Sequence, residues 1–240
     1  MKYIDVLARF GAGSAHPGGL ASTRSLLRQY PLGINTRILE IGCGTGKTAC
    51  MLASLGHRVT AVDLHSEMIR KAKQRAAAAK TSIEFIQADA ASLPFRDGEF
   101  DVVLVESVFN FADRSAALSE CYRVLVPGGC AYIRELMLDP SAAPNALQEF
   151  NDFFGLNSIV SAEAWTLQLK SLNFSQVDLL ENSHLDFTIS EHEEPDEEHL
   201  SYMDEGSLMD EEVWEMLLRH DDLMTNNALN LRNGLIRAVK

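Results

Sequence analysis

The stretch "RILEIGCGTGKTAC", Arg37 to Cys50, decides the fold. It opens as a short apolar run, passes straight into a glycine-rich loop and continues as a helix-forming segment. Two familiar nucleotide-binding loops share that outline, and spacing excludes both. A P-loop needs a glycine five residues before the glycine that precedes Lys-Thr. Counting back from Gly46 gives Ile41, and Gly42 comes too late to wrap phosphates. A dinucleotide fingerprint needs its third glycine three residues after the second. That position is Lys47, whose side chain would intrude on the close helix–strand contact. What remains is Glu40-x-Gly42-x-Gly44-x-Gly46, a loop of bare backbone amides led by an acid.

Outward from this loop, strand and helix patterns alternate. "RILEIG" is a buried strand, Lys47 to Leu55 a helix stopped by Gly56, and "RVTAVDL" a second strand. "SEMIRKAKQRAAAA" is a helix capped by Ser66, followed by the strands "IEFIQAD" and "FDVVLVES". "RSAALSECYRVL" is a helix ending at "PGG", and "CAYIREL" a fifth strand. This rhythm predicts a Rossmann-like, doubly wound α/β fold, with a mainly parallel sheet and helices on both faces. Right-handed crossovers bring the strand C-termini to one edge, where ligands bind. Before the loop, "LASTRSLLRQ" reads as a short amphipathic helix after the breaker "HPGG". Beyond Asp139 come two helical stretches, a sixth strand "SQVDLL", a helix over Asp210 to Met224 and a seventh strand "NGLIRAVK". The expected organisation is one domain over 1–240. Residues 1–36 form an N-terminal lid and helix, 37–139 a core, and 140–240 the substrate-side helices, last strands and an acidic segment.

The 240 residues suffice for one large α/β core. No apolar run approaches the roughly 18–20 residues of a membrane span. "MKYIDVLARFG" lacks the apolar region of a secretory signal, so a cytoplasmic location is expected. Cys43, Cys50, Cys121 and Cys130 form no C-x-x-C pair, which points to free thiols and no metal site. Charge is uneven: from Glu181 onward there are 16 acidic and 4 basic residues, against 18 and 17 before it. The run centred on 191–212 repels phosphate backbones, so nucleic acid is not an expected partner. Its plain reading is a solvated surface.

Four stretches in register, "LEIGCGTG", "VTAVDLH", "IQADAASLPFRDGEFDVV" and "YRVLVPGG", resemble the motifs of class I S-adenosylmethionine-dependent methyltransferases. The resemblance runs from about Arg37 to Glu135 and implies a seven-stranded sheet with an added helical cap. The implied cofactor is S-adenosylmethionine, leaving as S-adenosylhomocysteine. Gly42, Cys43 and Gly44 would approach the methionyl part, with Glu40 near its amine. Asp63, at the end of the second strand, would accept from the ribose hydroxyls, and Leu64 would pack on the adenine. Asp89 and the Ala90 amide would meet the adenine edge. The flanks "AHPGG", "RELML" and "AEAWTLQLKSLNFSQVDLLE" resemble the small-molecule branch of the class, of ubiquinone, arsenite and sterol type. Leu172-Asn173-Phe174 replaces the usual Ala-Gly-Phe there, and Asn tolerates the left-handed conformation such a helix end requires.

The fourth strand ends "VESVFNF", without the Asn/Asp-Pro-Pro-aromatic motif of nucleic-acid and glutamine N-methyltransferases. Methyl transfer needs positioning and exclusion of water, and a base only when the acceptor must lose a proton. Glu106 and His16 are the candidate catalytic residues, Glu106 also a cofactor contact, and Glu135 and Ser107 candidates on the substrate side. His184 is a further candidate base. The expected acceptor is a small molecule, and the chain a monomer or homodimer. The same features admit two other readings: a protein methyltransferase acting on a basic segment, and a non-catalytic S-adenosylmethionine-binding regulatory protein.

Overall fold

A computed structural model describes residues 1–143, 145–185 and 202–240. Seven strands form one sheet in the order β3-β2-β1-β4-β5-β7-β6. They are β1 (Arg37–Ile41), β2 (Arg58–Asp63), β3 (Glu84–Gln87), β4 (Phe100–Glu106), β5 (Leu125–Leu138), β6 (Gln176–His184) and β7 (Leu231–Val239). The first five pair in parallel. β7 lies antiparallel between β5 and β6, so the sheet is mainly parallel with one reversed strand. The helices are α1 (Tyr3–Phe10), α2 (Gly19–Gln29), α3 (Lys47–Ser54), α4 (Ser66–Ala78), α5 (Arg114–Val124), α6 (Gln148–Phe154), α7 (Ala162–Ser171) and α8 (Glu211–Asn227).

Period-two alternation distributes the strand side chains between two cores. Ile38, Val59, Ala61, Val102, Leu104 and Tyr132 pack on one face with Leu26 of α2, Ala49 of α3 and Ala72 of α4. Leu39, Ile41, Val103, Val105 and Ile133 pack on the other with Leu118 of α5 and Trp165 and Leu169 of α7. The same alternation places Glu40, Asp63, Glu106 and Arg134 on the α2–α4 face and Glu135 on the α5–α7 face. Glu106 and Arg134 are register partners on β4 and β5.

One strand differs from the sequence reading. β5 begins at Leu125 and runs through the Pro127–Gly129 stretch, with a register shift against β4 between Phe100 and Val102. Asn173 follows α7 at φ 69°, the left-handed conformation anticipated for it. Of the acidic segment expected over 191–212, positions up to 201 lie outside the described residues.

Helix α1 was not anticipated at all. Its own sequence supports it weakly: eight residues, with Asp5 accepting from the Lys2 amide at 3.0 Å and Gly11 closing it at φ 71°. So short a helix does not stand alone in water. Lys71 of α4, 1% exposed, supplies the missing support. Its ammonium donates to the Ala8 and Arg9 carbonyls at the end of α1 (2.6 and 3.3 Å) and to the Tyr202 carbonyl (2.8 Å). It also pairs with Asp204 at 2.7 Å. A buried cation thus adds a second donor to helix-end carbonyls that already accept the Gly11 and Asp204 amides, and ties α1 to α4. Tyr3 of α1 stacks among Phe153, Phe154 and His220 of α6 and α8, completing a separate cap core.

Replacing Lys71 with Met keeps the stem and removes the donors. The variant is expected to lose about 2–3 kcal/mol of stability in urea denaturation, because the ammonium's bonds to the Ala8, Arg9 and Tyr202 carbonyls and its pair with Asp204 are lost together. Unchanged stability would show that α1 is held by its apolar face alone.

Candidate functional site

The glycine loop owes its shape to two kinds of contact. The Gly42 and Cys43 amides donate to the Val62 carbonyl at 2.8 and 2.9 Å, turning the chain across the end of β2. Gly42 has φ 74°, and a β-carbon there would lie 2.1 Å from Cγ2 of Val108. Gly46 has φ 79°, and a β-carbon there would lie 2.9 Å from that of Ala72 in α4. The glycines therefore serve two close approaches, one to the turn after β4 and one between helices.

Asp63 is fixed by the loops on either side of it. One carboxylate oxygen accepts the Gly44 amide and the other the His65 amide, both at 2.8 Å. Burial raises its pKa above the usual carboxylate value, and these two amides pull it back. Leu64 beside it is exposed, and its carbonyl is held by Gln87 Nε2 at 3.0 Å. Asp89 is exposed and accepts the Ala91 amide at 2.9 Å, while Ala90 is buried.

Glu106 lies at the end of β4 with its side chain 7% exposed. Thr23 of α2 donates its hydroxyl across both carboxylate oxygens at 2.9 Å. His16 Nε2 stands 3.3 Å from Oε2, and Arg134 Nε 3.5 Å from Oε1. Arg134, fully buried, pairs on its far side with Glu181 of β6 at 2.6 Å. His16 Nδ1 faces the Pro17 carbonyl at 3.4 Å, so both ring nitrogens are turned to partners within the chain. The N-terminal segment is thereby latched onto the strand edge. A second latch lies at the glycine loop, where Thr45 Oγ1 stands 3.2 and 3.0 Å from the Gly11 and Ala12 carbonyls.

Glu40 completes the corner. It is 6% exposed, and its Oε2 is buried with no hydrogen-bond partner. Burial, then the neighbouring Glu106 and Asp63 charges, push its pKa well above the ordinary range. Cys43 is buried beside it, and burial followed by the Glu40 charge raises its thiol pKa, which makes it inert rather than nucleophilic. Three acids therefore converge at one sheet edge: Glu106 faces Arg134, Asp63 accepts two amides, and Glu40 Oε2 has no partner. The arrangement fits a cationic ligand with vicinal hydroxyls, bound over an amide-rich loop.

Other candidates fall elsewhere. Glu135, expected on the substrate side, is 1% exposed and turned under the turn after β4, where it accepts the Val108 and Phe109 amides at 2.7 and 2.6 Å. Ser107 begins that turn at φ 59°, donates its amide to the Arg134 carbonyl at 2.8 Å, and has a buried hydroxyl with no partner. His184 stands with Arg232 and Asp139 on the β6–β7 side, not with the acids. Asp113 caps α5 by accepting the Ala116 amide. The sequence reading missed Thr23, Arg134 and Glu181. An arginine inside the apolar run "CAYIREL" was the available signal for Arg134.

Comparison with known proteins identifies the family. A model of the methyltransferase domain matches residues 39–133. An uncharacterized methyltransferase, YodH of Bacillus subtilis, is 35% identical over 179 residues, which is 75% of this chain and 77% of YodH. The demethylmenaquinone methyltransferase of Thermus thermophilus is 42% identical over 110 residues, 45% of this chain and half of that enzyme. Among solved structures, a Haemonchus contortus phosphoethanolamine N-methyltransferase in complex with S-adenosyl-L-methionine superposes with a TM-score of 0.77. It is 23% identical, covering 98% of this chain and 56% of that one, a likeness of fold. The chain belongs to the class I S-adenosylmethionine-dependent methyltransferases, and its cofactor is S-adenosylmethionine. Among the described residues, no helix is long and apolar enough to cross a membrane.

Burial pushes the Glu135 carboxyl up to about 7, against the pull of the Phe109 and Val108 amides. Between its ordinary value of 4.5 and 7, the unfolded chain releases a proton that the folded chain keeps. Its contribution to stability is therefore lost as pH rises through that window. Glu135→Gln cannot ionise, so its stability relative to wild type should climb by up to about 3 kcal/mol across the window and stay level above it. Denaturation curves at several pH values check this, and a constant difference would contradict it.

Proposed function

We propose that this chain transfers a methyl group from S-adenosylmethionine to a small-molecule acceptor enclosed between the sheet edge and the N-terminal segment. The observation that carries the reading is the convergence of Glu40, Asp63 and Glu106, with Glu40 Oε2 buried and unpartnered. The cofactor supplies an activated methyl on a sulfonium, so the residues here need to bind, orient and exclude water. Asp63, held by two amides, presents its remaining lone pairs to the ribose hydroxyls. Glu40 offers its unpartnered Oε2 to the ammonium, with Glu106 beside it at the end of β4. Gly42, Cys43 and Gly44 leave backbone bare beside the methionyl group, Leu64 offers an exposed apolar side chain to the adenine, and Asp89 and the Ala90 amide its polar edge.

The closed state of the segment around His16 and Thr23 supports a small acceptor over a polymeric one. Thr23 donates to Glu106 and His16 Nε2 stands 3.3 Å from it, with both side chains almost wholly buried. The name of the Thermus relative, a demethylmenaquinone methyltransferase, points the same way. His16 acts as a latch in this arrangement, since a base needs one ring nitrogen free for the acceptor. Ser107, whose unpartnered hydroxyl follows Glu106, is the residue placed to meet the acceptor. The protein is read as acting in the cytoplasm, as a monomer or homodimer.

Two measurements test the proposal. S-adenosylmethionine should be converted to S-adenosylhomocysteine in the presence of the low-molecular-mass fraction of a cell extract; turnover supported only by the protein fraction would refute a small acceptor. Asp63→Ala should weaken S-adenosylhomocysteine about 30- to 100-fold by calorimetry, the worth of charge-assisted bonds in a half-buried site. Unchanged affinity would remove Asp63 from the cofactor site.

A further inference from the structure

Glu135 lies on the face of the sheet opposite the acid cluster, yet it is bonded to the turn that follows Glu106. One oxygen, Oε1, takes the Val108 amide at 2.7 Å and the Phe109 amide at 2.6 Å. Phe109 is fully buried, so water cannot readily replace that acceptor. Asn110 ties the same turn to the next residue of β5, donating Nδ2 to the Leu136 carbonyl at 2.9 Å. The turn thus hangs on β5 by consecutive residues, Glu135 and Leu136. Its entry is Ser107, at φ 59°, a conformation that a non-glycine residue holds only when its surroundings enforce it. Its exit into Val108 puts the valine methyl groups where a side chain on Gly42 would be, 2.1 Å from that hypothetical β-carbon. A continuous line of contacts therefore runs from the Glu135 carboxylate through the Val108 amide and side chain to the first glycine of the cofactor loop.

We infer that Glu135 is a positioning residue: by holding the Val108 and Phe109 amides, it sets the turn after β4 against Gly42 and so fixes the cofactor loop from the opposite face of the sheet. The inference rests on the proposed function for what the loop holds, and not for the bracing itself. Glu135 touches neither cofactor nor acceptor in this role. A carboxyl group suits the task because a single oxygen, with two lone pairs, can accept both amides. The remaining oxygen, Oε2, has no partner, and the charged group facing this side is Arg114 of α5. A purely structural role would satisfy two buried amides and stop there. A positioning role also requires that disturbance of the turn reach the loop through Val108.

The test uses the full chain with S-adenosylhomocysteine as the probe. Amide hydrogen exchange is followed at Val108 and Phe109, and affinity by calorimetry. Glu135→Ala should expose both amides and weaken S-adenosylhomocysteine about tenfold, within the range of coupling through packed contacts. Glu135→Gln keeps a carbonyl oxygen for the same amides and should stay within about threefold of wild type. Val108→Ala leaves the carboxylate brace in place and trims the contact with Gly42; it should weaken the probe about threefold or more while the Phe109 amide stays protected. The inference is overturned if Glu135→Ala exposes the amides without changing affinity, if Glu135→Gln is as damaging as Glu135→Ala, or if Val108→Ala binds like wild type. Should Glu135→Ala fail to fold, the Gln and Val108 variants decide alone. A wild-type chain that did not bind the probe at all would instead refute the cofactor assignments, while the exchange measurements would still report on the brace.

Discussion

Glu40, Asp63 and Glu106 repel one another across the C-terminal ends of β1, β2 and β4, and much of the surrounding structure answers that repulsion. Asp63 is offset by amides from its two neighbouring loops. Glu106 is offset by a hydroxyl, an imidazole and a guanidinium. The guanidinium is itself buried, and a buried cation needs its own compensation, which Glu181 provides from β6. Glu40 has no such partner for Oε2. A fold that brings three carboxylates together and leaves one uncompensated is prepared for a cation from outside. On the proposed function, that cation is the cofactor.

The N-terminal segment is built on the same economy of buried charge. Lys71 and Arg75 project from one face of α4, the first onto the end of α1 and the second onto Thr45 of the glycine loop at 3.0 Å. Arg75 also lies over the Tyr202 ring, 4.0 Å from its centroid. One helix therefore holds the cofactor loop, the N-terminal helix and the chain around 202–204 in a common frame. The latches at Glu106 and Thr45 are made by residues on either side of the "HPGG" turn, so the segment closes the corner as a unit.

How much of this could be read in the sequence depended on the range of the interactions. The glycine loop, the acids at strand ends and the βα alternation are local, and their spacing declares them. The helix α1 carries local signals, Asp5 at its start and Gly11 at its end, but eight residues are too few to stand alone, and they are tied down by a lysine more than 60 positions away. The insertion of β7 between β5 and β6 is likewise a matter of long-range order, invisible in either strand's own alternation. Glu135 shows the limit most sharply. Its place in "RELML", at the end of the fifth-strand pattern, suggested the acceptor side, but alternation along β5 turns it to the other face. Thr23 looked like any polar residue on an amphipathic helix until Glu106 was beneath it.

The central claim is that Glu40 is held unpaired for the cofactor's ammonium. The most direct measurement compares two ligands on Glu40→Gln. S-adenosylhomocysteine carries the ammonium, whereas methylthioadenosine keeps the ribose and adenine without it. The account predicts that calorimetry will find S-adenosylhomocysteine weakened about tenfold or more while methylthioadenosine is unchanged, since only the first loses a charge-assisted contact. Equal weakening of both ligands, or of neither, would contradict it.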